Sequence, residues 1–244
     1  MKSIKRFRIM IMAIALILAV SGCSKKSMDS TNSILQSGIL KVAITDSDNY
    51  YTSLNGRQPI GMEPELVKTI ATVLGVSTEY QILSKAAALE AVANGTADIA
   101  IGCISDTEGI PGSFSVTTSY GKGFYYAVTK KGDFAQTTAA FSDSVVGVTK
   151  RLDKVNKNRF YAVNGITLSE YKDMDAIAAD IRSNRIRAYI CMEDEARELL
   201  SDPNLQLQNM FDLNPVEYVI VAGSDDQTLI NGMNSLIAQF LVKE

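Results

Sequence analysis

Histidine and tryptophan are both absent from this 244-residue chain. The missing histidine removes the commonest general base and metal ligand, so Ser-His-Asp triads, Cys-His dyads and His-ligated zinc are excluded. Only three cysteines occur, Cys23, Cys103 and Cys191, at spacings that fit neither a zinc ribbon nor a disulfide framework. Proline and glycine are sparse, at 5 and 16 residues, while 46% of the chain is apolar and 21% charged. That balance excludes a collagen-like or disordered chain. Positive charge is not in excess either: 24 basic residues face 27 acidic ones, for a net of −3. Four of the basic residues, Lys2, Lys5, Arg6 and Arg8, fall in the first eight positions, and no acid precedes Asp29. Beyond them 20 basic residues oppose 27 acidic ones, a net of −7. An acidic body lacks the basic face that a phosphate backbone requires, so no nucleic-acid partner is expected. No Gly-x-x-x-x-Gly-Lys-Ser/Thr loop occurs, so the chain is not expected to hydrolyse nucleotides.

What is present begins with an address. After the basic start, Ile9 to Val20 is an unbroken apolar run of 12 residues, followed by Ser21-Gly22-Cys23. As a helix that run rises only about 18 Å, against roughly 30 Å of bilayer hydrocarbon. It is short for a membrane span and suits the apolar part of a signal peptide. The small residues before Cys23 resemble a bacterial lipobox, with Val20 where leucine is commoner. That resemblance implies cleavage after residue 22 and a diacylated Cys23, and two acyl chains anchor stably where one is marginal. The plainer alternative is a secretory signal with an incidental cysteine. Ser24 to Ser33 is polar and aperiodic and reads as a tether, which spans at most roughly 36 Å when extended.

The body alternates strands and helices. Ile39 to Ile44 reads as a strand. Pro64 suits the start of a helix whose apolar stripe is Leu66, Val67, Ile70, Ala71 and Leu74, ending at Gly75. Tyr80 to Leu83 is a weak strand, Lys85 to Asn94 an alanine-rich helix, and Ile99 to Ile101 a buried strand. The second half repeats the pattern with strands at 145–148, 186–191 and 216–222. Its helices are one capped by Asp175, one over Glu193 to Leu200 and a closing one over Gln227 to Leu241. Such alternation predicts an α/β fold with mostly parallel sheets. The units at 89–103 and 177–191 look like counterparts in two lobes. Parallel sheets bind ligands beyond the carboxyl ends of their strands, so the loops after Ile44, Ile101, Val148 and Ile190 are expected to line a cleft.

Several segments carry a resemblance in order. Gly38-Ile39-Leu40-Lys41-Val42, Ile60-Gly61-Met62-Glu63-Pro64-Glu65-Leu66, and Leu89-Glu90-Ala91-Val92 with Asn94-Gly95 and Ala97-Asp98-Ile99 resemble the family-3 extracellular solute-binding proteins of ABC importers. The likeness runs from about Gly38 to about Leu241. It implies a two-lobed type II periplasmic-binding fold, each lobe a mostly parallel sheet flanked by helices, with two hinge crossings. These are expected near Val128 to Lys131 and Val219 to Gly223. The implied divisions are a signal peptide at 1–22, an acylated cysteine and tether at 23–35, a first lobe at 36–129 plus 222–244, and a second lobe at 130–221. The implied role is an extracytoplasmic, lipid-anchored, monomeric receptor at the cell membrane. It would be non-enzymatic and without a cofactor or metal, and would deliver a small polar solute to an ABC permease.

The anchor positions depart from the family pattern. The arginine expected five residues after Ser105, for a ligand carboxylate, is Ile110. Arg151-Leu152 replaces Gly-Thr after the Gly-Val strand. The aspartate expected for a ligand ammonium falls at Met192, beside Glu193. Isoleucine cannot supply the paired hydrogen bonds of a guanidinium, so an ordinary α-amino acid in the usual pose is not expected. Candidate ligand contacts are Tyr50, Tyr51, Cys103, Ser105, Thr107, Arg151, Met192 and Glu193. Each has a plainer role open to it. The tyrosines could be loop packing, Ser105 a turn residue and Arg151 part of a solvated basic face with Lys150, Lys154, Lys157 and Arg159. Glu193 could be an acid at a helix N-terminus. Cys103 and Cys191 could be small buried hydrophobes or a disulfide across the cleft. Two other roles stay open on the same fold, a sensory module presenting a lobe to a membrane receptor and a dehydratase-like lyase with Glu193 as its acid.

Overall fold

A computed structural model describes residues 30–45, 51–105, 110–111, 113–171, 173–224 and 226–241. The leader, Cys23, Tyr50 and Thr107 lie outside the described residues. The first described element is helix α1, Ser30–Ser37. This differs from the polar tether expected through Ser33. Thr31 and Ile34 are both buried, and the helix packs on strand β1, Ile39–Thr45, and on the C-terminal helix. A single turned-in isoleucine leaves no periodic trace in a sequence, which is why the helix was not foreseen.

The first lobe continues with a hairpin of β2, Ser53–Asn55, and β3, Gln58–Ile60. Helix α2, Met62–Leu74, follows and buries Leu66, Val67, Ile70 and Ala71 as its stripe requires. It starts at Met62, two residues before Pro64, and its N-cap is Gly61, whose φ of 122° suits glycine alone. A side chain at Gly61 would collide with the Tyr51 carbonyl. Next come β4, Ser77–Leu83, helix α3, Lys85–Ala93, β5, Ile99–Ile101, and β6, Phe114–Val116. Ser84 caps α3 by accepting from the Ala87 N–H.

The chain then passes through β7, Gly121–Gly123, into the second lobe. That lobe holds β8, Tyr125–Lys130, β9, Val145–Val148, helix α4, Lys154–Tyr161, β10, Thr167–Glu170, and helix α5, Met174–Arg182. It ends with β11, Ala188–Met192, helix α6, Glu193–Leu199, and β12, Leu205–Asn209. The cap of α5 is Asp173, whose carboxylate accepts from the Asp175 N–H, so Asp175 sits inside the helix it was expected to cap. The return runs through β13, Val216–Tyr218, and β14, Val221–Gly223, to helix α7, Gln227–Leu241.

The two large sheets have matching orders, β4-β1-β5-β14-β6 and β10-β9-β11-β8-β12. In each, the first three strands are parallel and the fourth, which has just arrived from the other lobe, is antiparallel to its neighbours. The sheets are therefore mixed. The expected counterparts, α3–β5 and α5–β11, end in strands at the same central position of their sheets.

Between the lobes, β7 and β13 form a separate antiparallel ladder that pairs Gly123 with Val216 and Gly121 with Tyr218. The first crossing therefore precedes β8, and the stretch from Val128 to Lys130 lies inside the second sheet. Residues 216–222, which read as one apolar strand, are two strands in different sheets, joined through buried Val219 and Ile220. Gly123 is the tight point of this ladder. A methyl group there would overlap the Tyr218 hydroxyl and the Met192 methyl.

Two glycine substitutions test this packing. Gly123→Ala is expected to lower unfolding stability by about 1–3 kcal/mol through overpacking. Gly232→Ala, inside α7 with open space around its Cα, is expected to raise it by about 0.5–1 kcal/mol. Urea denaturation of the two variants checks both signs.

Candidate functional site

The carboxyl ends of β1, β4 and β5 are level, because Thr45 pairs with Leu83 and Ile44 with Ile101. Past the end of β5 the chain turns sharply through Gly102 and Cys103, and Cys103 has a φ of 50° that is unusual for a side-chain-bearing residue. The Thr45 hydroxyl donates to the Gly102 carbonyl at 3.0 Å and holds this turn against β1. Beneath it lies the carboxyl of Glu63, fully buried at the second position of α2. Glu63 Oε1 accepts from the Cys103 N–H at 2.7 Å and from the Tyr120 hydroxyl, and Oε2 accepts from the Thr52 hydroxyl. One side chain thus ties together α2, the loop after β1, the exit of β5 and the entry to β7. Burial, then the Glu63 charge, raises the Tyr120 phenol well above its ordinary range and pushes the Cys103 thiol up as well.

Three tyrosines gather where this floor meets the hinge. Tyr51 lies edge-on to Tyr218, with centroids 5.8 Å apart, and to Tyr120 at 6.4 Å. Its hydroxyl donates to the Lys122 carbonyl at 3.0 Å and accepts from the Lys122 N–H at 3.2 Å. Tyr51 therefore binds the hinge strand. Ser105 is fully buried and forms a β-bridge to Tyr218.

The facing wall belongs to the second lobe. Arg151, three residues past β9, pairs with Asp194 at 2.6 Å, both side chains about 30% exposed. Burial opposes the guanidinium charge, but Asp194, Glu195 and Tyr218 together outweigh it, so the Arg151 pKa is raised. Glu195 accepts from the Thr149 hydroxyl at 2.6 Å and from the Met192 N–H at 3.0 Å. The Tyr125 hydroxyl donates to the Arg151 carbonyl at 2.9 Å and so fixes the turn that presents Arg151. Lys85, the first residue of α3, follows the carboxyl end of β4 by two residues. Burial, then the like charge of Arg151, lowers its pKa to about 8.

These positions sort the candidates. Arg151 faces the cleft with an acid partner, whereas Lys157 pairs with Glu170 and Arg159 with Asn214 on the outer surface of α4. Glu193 bonds Arg197 on its own helix at 3.0 Å, and the acid that meets Arg151 is Asp194. Met192 is buried against the hinge glycine. Ile110 packs on the α3 side of the first lobe, with Ala88, Val92 and Ile104. Cys103 and Cys191 are both free. Cys191 packs with Ile177, Ile181 and Ala196 of α5 and α6, and no disulfide joins it to Cys103. Sequence reasoning did not find Asp194, Lys85 or the role of Glu63. A run of three acids does not reveal which one faces inward, and a lysine opening an alanine-rich helix gives no signal by itself. Among the described residues no group of Cys, Asp and Glu could hold a metal ion, and no helix is long and apolar enough to cross a membrane.

Two measurements probe the site. Glu63→Ala leaves the Tyr120, Thr52 and Cys103 donors without their acceptor and is expected to cost at least about 3 kcal/mol in chemical denaturation. For Lys85, the folded chain binds fewer protons than the unfolded one between its lowered pKa and the ordinary lysine value of 10.5. Its contribution to stability therefore rises with pH above about 8. The two cysteine thiols act in the opposite sense in this range but cancel in a comparison of the wild type with Lys85→Met. The stability advantage of Lys85→Met over the wild type is expected to shrink from pH 7 to pH 9.5, read by thermal melts without added solute.

Comparison with known proteins agrees with this architecture. The profile of bacterial extracellular solute-binding proteins, family 3, matches residues 40–240. No curated protein matches the chain significantly. Among solved structures, an amino acid ABC transporter substrate-binding protein of Streptococcus pneumoniae bound to L-arginine is 25% identical, with a TM-score of 0.61. The alignment covers 87% of this chain and 92% of that one. The arginine-bound ArgBP of T. maritima is 19% identical with a TM-score of 0.59, over 85% of this chain and 99% of that one. An ancestral cationic amino acid solute-binding protein, also described as a precursor of cyclohexadienyl dehydratase, is 15% identical with a TM-score of 0.64. It aligns over 88% of this chain and 94% of its own. The last two likenesses establish the two-lobed fold alone. With the profile spanning most of its length, the chain belongs to the bacterial extracellular solute-binding proteins of family 3.

Proposed function

We propose that this chain is a lipid-anchored extracytoplasmic receptor that captures a small polar solute between its lobes and delivers it to an ABC importer. The observation that carries this reading is the pair of sheets of matching order, linked by the β7–β13 ladder, with Lys85 and the Arg151–Asp194 pair on opposing edges. A solute that touches both edges binds the closed arrangement more tightly than the open one, and that difference in affinity sets how far closure shifts. The lobes are residues 30–120 with 219–241, and 124–215. The anchor is Cys23, supported by the basic, apolar and small-residue order of the leader. The chain acts as a monomer and without catalysis. A proton-transferring acid needs a free carboxyl in the cleft, and among the described residues Glu63, Glu193, Asp194 and Glu195 each already accept from the protein.

A sensory role on the same fold is favoured by one observation. The residue at the usual arginine position, Ile110, is half-buried against a lobe core. A pull-down that recovers a membrane kinase and no permease would support that second reading.

Thermal-shift screening tests the receptor reading. A solute at about 100 times its Kd is expected to add roughly 2.7 kcal/mol of stability. Native mass spectrometry of gently purified protein should show the same solute as a copurified mass. A broad screen without a stabiliser, together with a bare protein mass, would overturn it. Cys23→Ser is expected to move the protein from the membrane fraction to the soluble fraction.

A further inference from the structure

Glycine follows asparagine at Asn55-Gly56, Asn94-Gly95, Asn164-Gly165 and Asn231-Gly232. Such a pair has a chemistry of its own. With no side chain on the second residue, its backbone nitrogen can close on the side-chain carbonyl of the asparagine. The attack needs an asparagine side chain free to turn, a following N–H that no acceptor holds, and a backbone able to open. The fold meets these conditions unequally at the four places.

Asn231 and Gly232 lie inside α7, where backbone N–H groups are bonded along the helix, and Asn231 Oδ1 accepts from Gln227 at 3.0 Å. Asn94 ends α3. Its Oδ1 accepts from the Thr96 N–H and hydroxyl, and the Gly95 N–H donates to the Val92 carbonyl at 3.2 Å. Asn164 is exposed, yet its carbonyl accepts from the Asp143 N–H at 3.0 Å, and a Cβ on Gly165 would collide with Asp143 Oδ1. That negative charge opposes loss of the Gly165 amide proton. Asn55 differs on every count. It pairs with Gln58 across the two-residue turn Gly56-Arg57, and all four residues are exposed. Among the described residues, neither the Asn55 side chain nor the Gly56 N–H has a hydrogen-bond partner. Gly56 has a φ of 65° and open space around its Cα. Only three residues on each side hold the hairpin, so its tip opens at small cost. Its base is anchored, because the Tyr51 carbonyl accepts from the Glu63 N–H at 3.2 Å and the Thr52 hydroxyl donates to the Glu63 carboxyl.

We propose that Asn55 is a site of spontaneous deamidation and isomerisation, and that in the folded chain it reacts ahead of the other three pairs. The Gly56 nitrogen loses its proton to base and attacks Cγ of Asn55. The bond from Cγ to the side-chain nitrogen breaks, that nitrogen takes up a proton and leaves as ammonia, and a five-membered succinimide remains. Water then opens the ring. Hydrolysis at the backbone carbonyl carbon leaves isoaspartate, with the main chain running through Cγ, and hydrolysis at Cγ leaves aspartate. Nothing is oxidised or reduced. Isoaspartate lengthens the main chain by one methylene and adds a negative charge at the tip, so the pairing of Asn55 with Gln58 is lost. The bonds from Tyr51 and Thr52 to Glu63 hold the base, so the change stays in the turn.

Ageing the folded chain at pH 7 and at pH 9, with peptide mapping by mass spectrometry that separates isoaspartate from aspartate, decides the matter. Asn55 is expected to convert at least about tenfold faster than Asn94 or Asn231, whose reaction waits on the opening of a helix. Its rate is expected to rise with pH, since the attacking nitrogen must first lose its proton. In urea, where the fold protects none of the four pairs, their rates should converge. Trypsin is expected to cut after Arg57 faster in the aged wild type than in the fresh protein. Asn55→Gln, one methylene too long to close the five-membered ring, should age without either change. The proposal is overturned if another of the four pairs converts first in the folded chain, or if the order of reaction is the same in urea. An unchanged cut at Arg57 in the converted protein would overturn the loss of pairing in the turn.

Discussion

The structure turns on one buried carboxyl. Glu63 has no solvent contact, yet it accepts hydrogen bonds from Thr52, Tyr120 and the Cys103 amide. A polar group this deep is tolerable only when its oxygens are satisfied. That requirement places its partners within hydrogen-bonding reach at the same time. The positive φ at Cys103, the approach of Tyr51 to the hinge and the burial of Tyr120 all fall within reach of those bonds. The first lobe's side of the cleft is accordingly a rigid surface assembled around one acid.

The second lobe solves the matching problem with separate pairs. Asp194 neutralises Arg151, while Glu195 closes the N-terminus of α6 by accepting from Met192 and Thr149. Three consecutive acids thus have three different duties, and Glu193 is turned to its own helix. The fold that presents these charges is that of the family. This agrees with a family whose members share architecture at low sequence identity.

The strands and helices with clear periodicity were legible in the sequence. β1, β5, β9, α3 and α7 all stand where apolar runs and stripes placed them. The hinge was not. Gly121-Lys122-Gly123 has no strand signal of its own and pairs only because Val216 to Tyr218 lies opposite. The second crossing was hidden for the converse reason, since the strand-like stretch from 216 to 222, apolar but for Glu217, gives no sign of where it changes sheets. Within the site, Arg151 was visible from its position after a strand. Its true partner was not, because only the rotation of α6 decides which of Glu193, Asp194 and Glu195 faces it. Helix α1 was missed because one isoleucine makes no period.

The strand exchange between the sheets bears on how the molecule is made. β6 hydrogen-bonds only to β14 within its sheet, and β14 is encoded more than a hundred residues later. The second sheet, by contrast, has all five of its strands once residue 209 has emerged. A chain appearing from its N-terminus therefore completes the later lobe while the earlier one still lacks its fourth strand. The half that is translated first is the half that finishes last, and its open strand edge must stay clear of other chains until Val221 arrives.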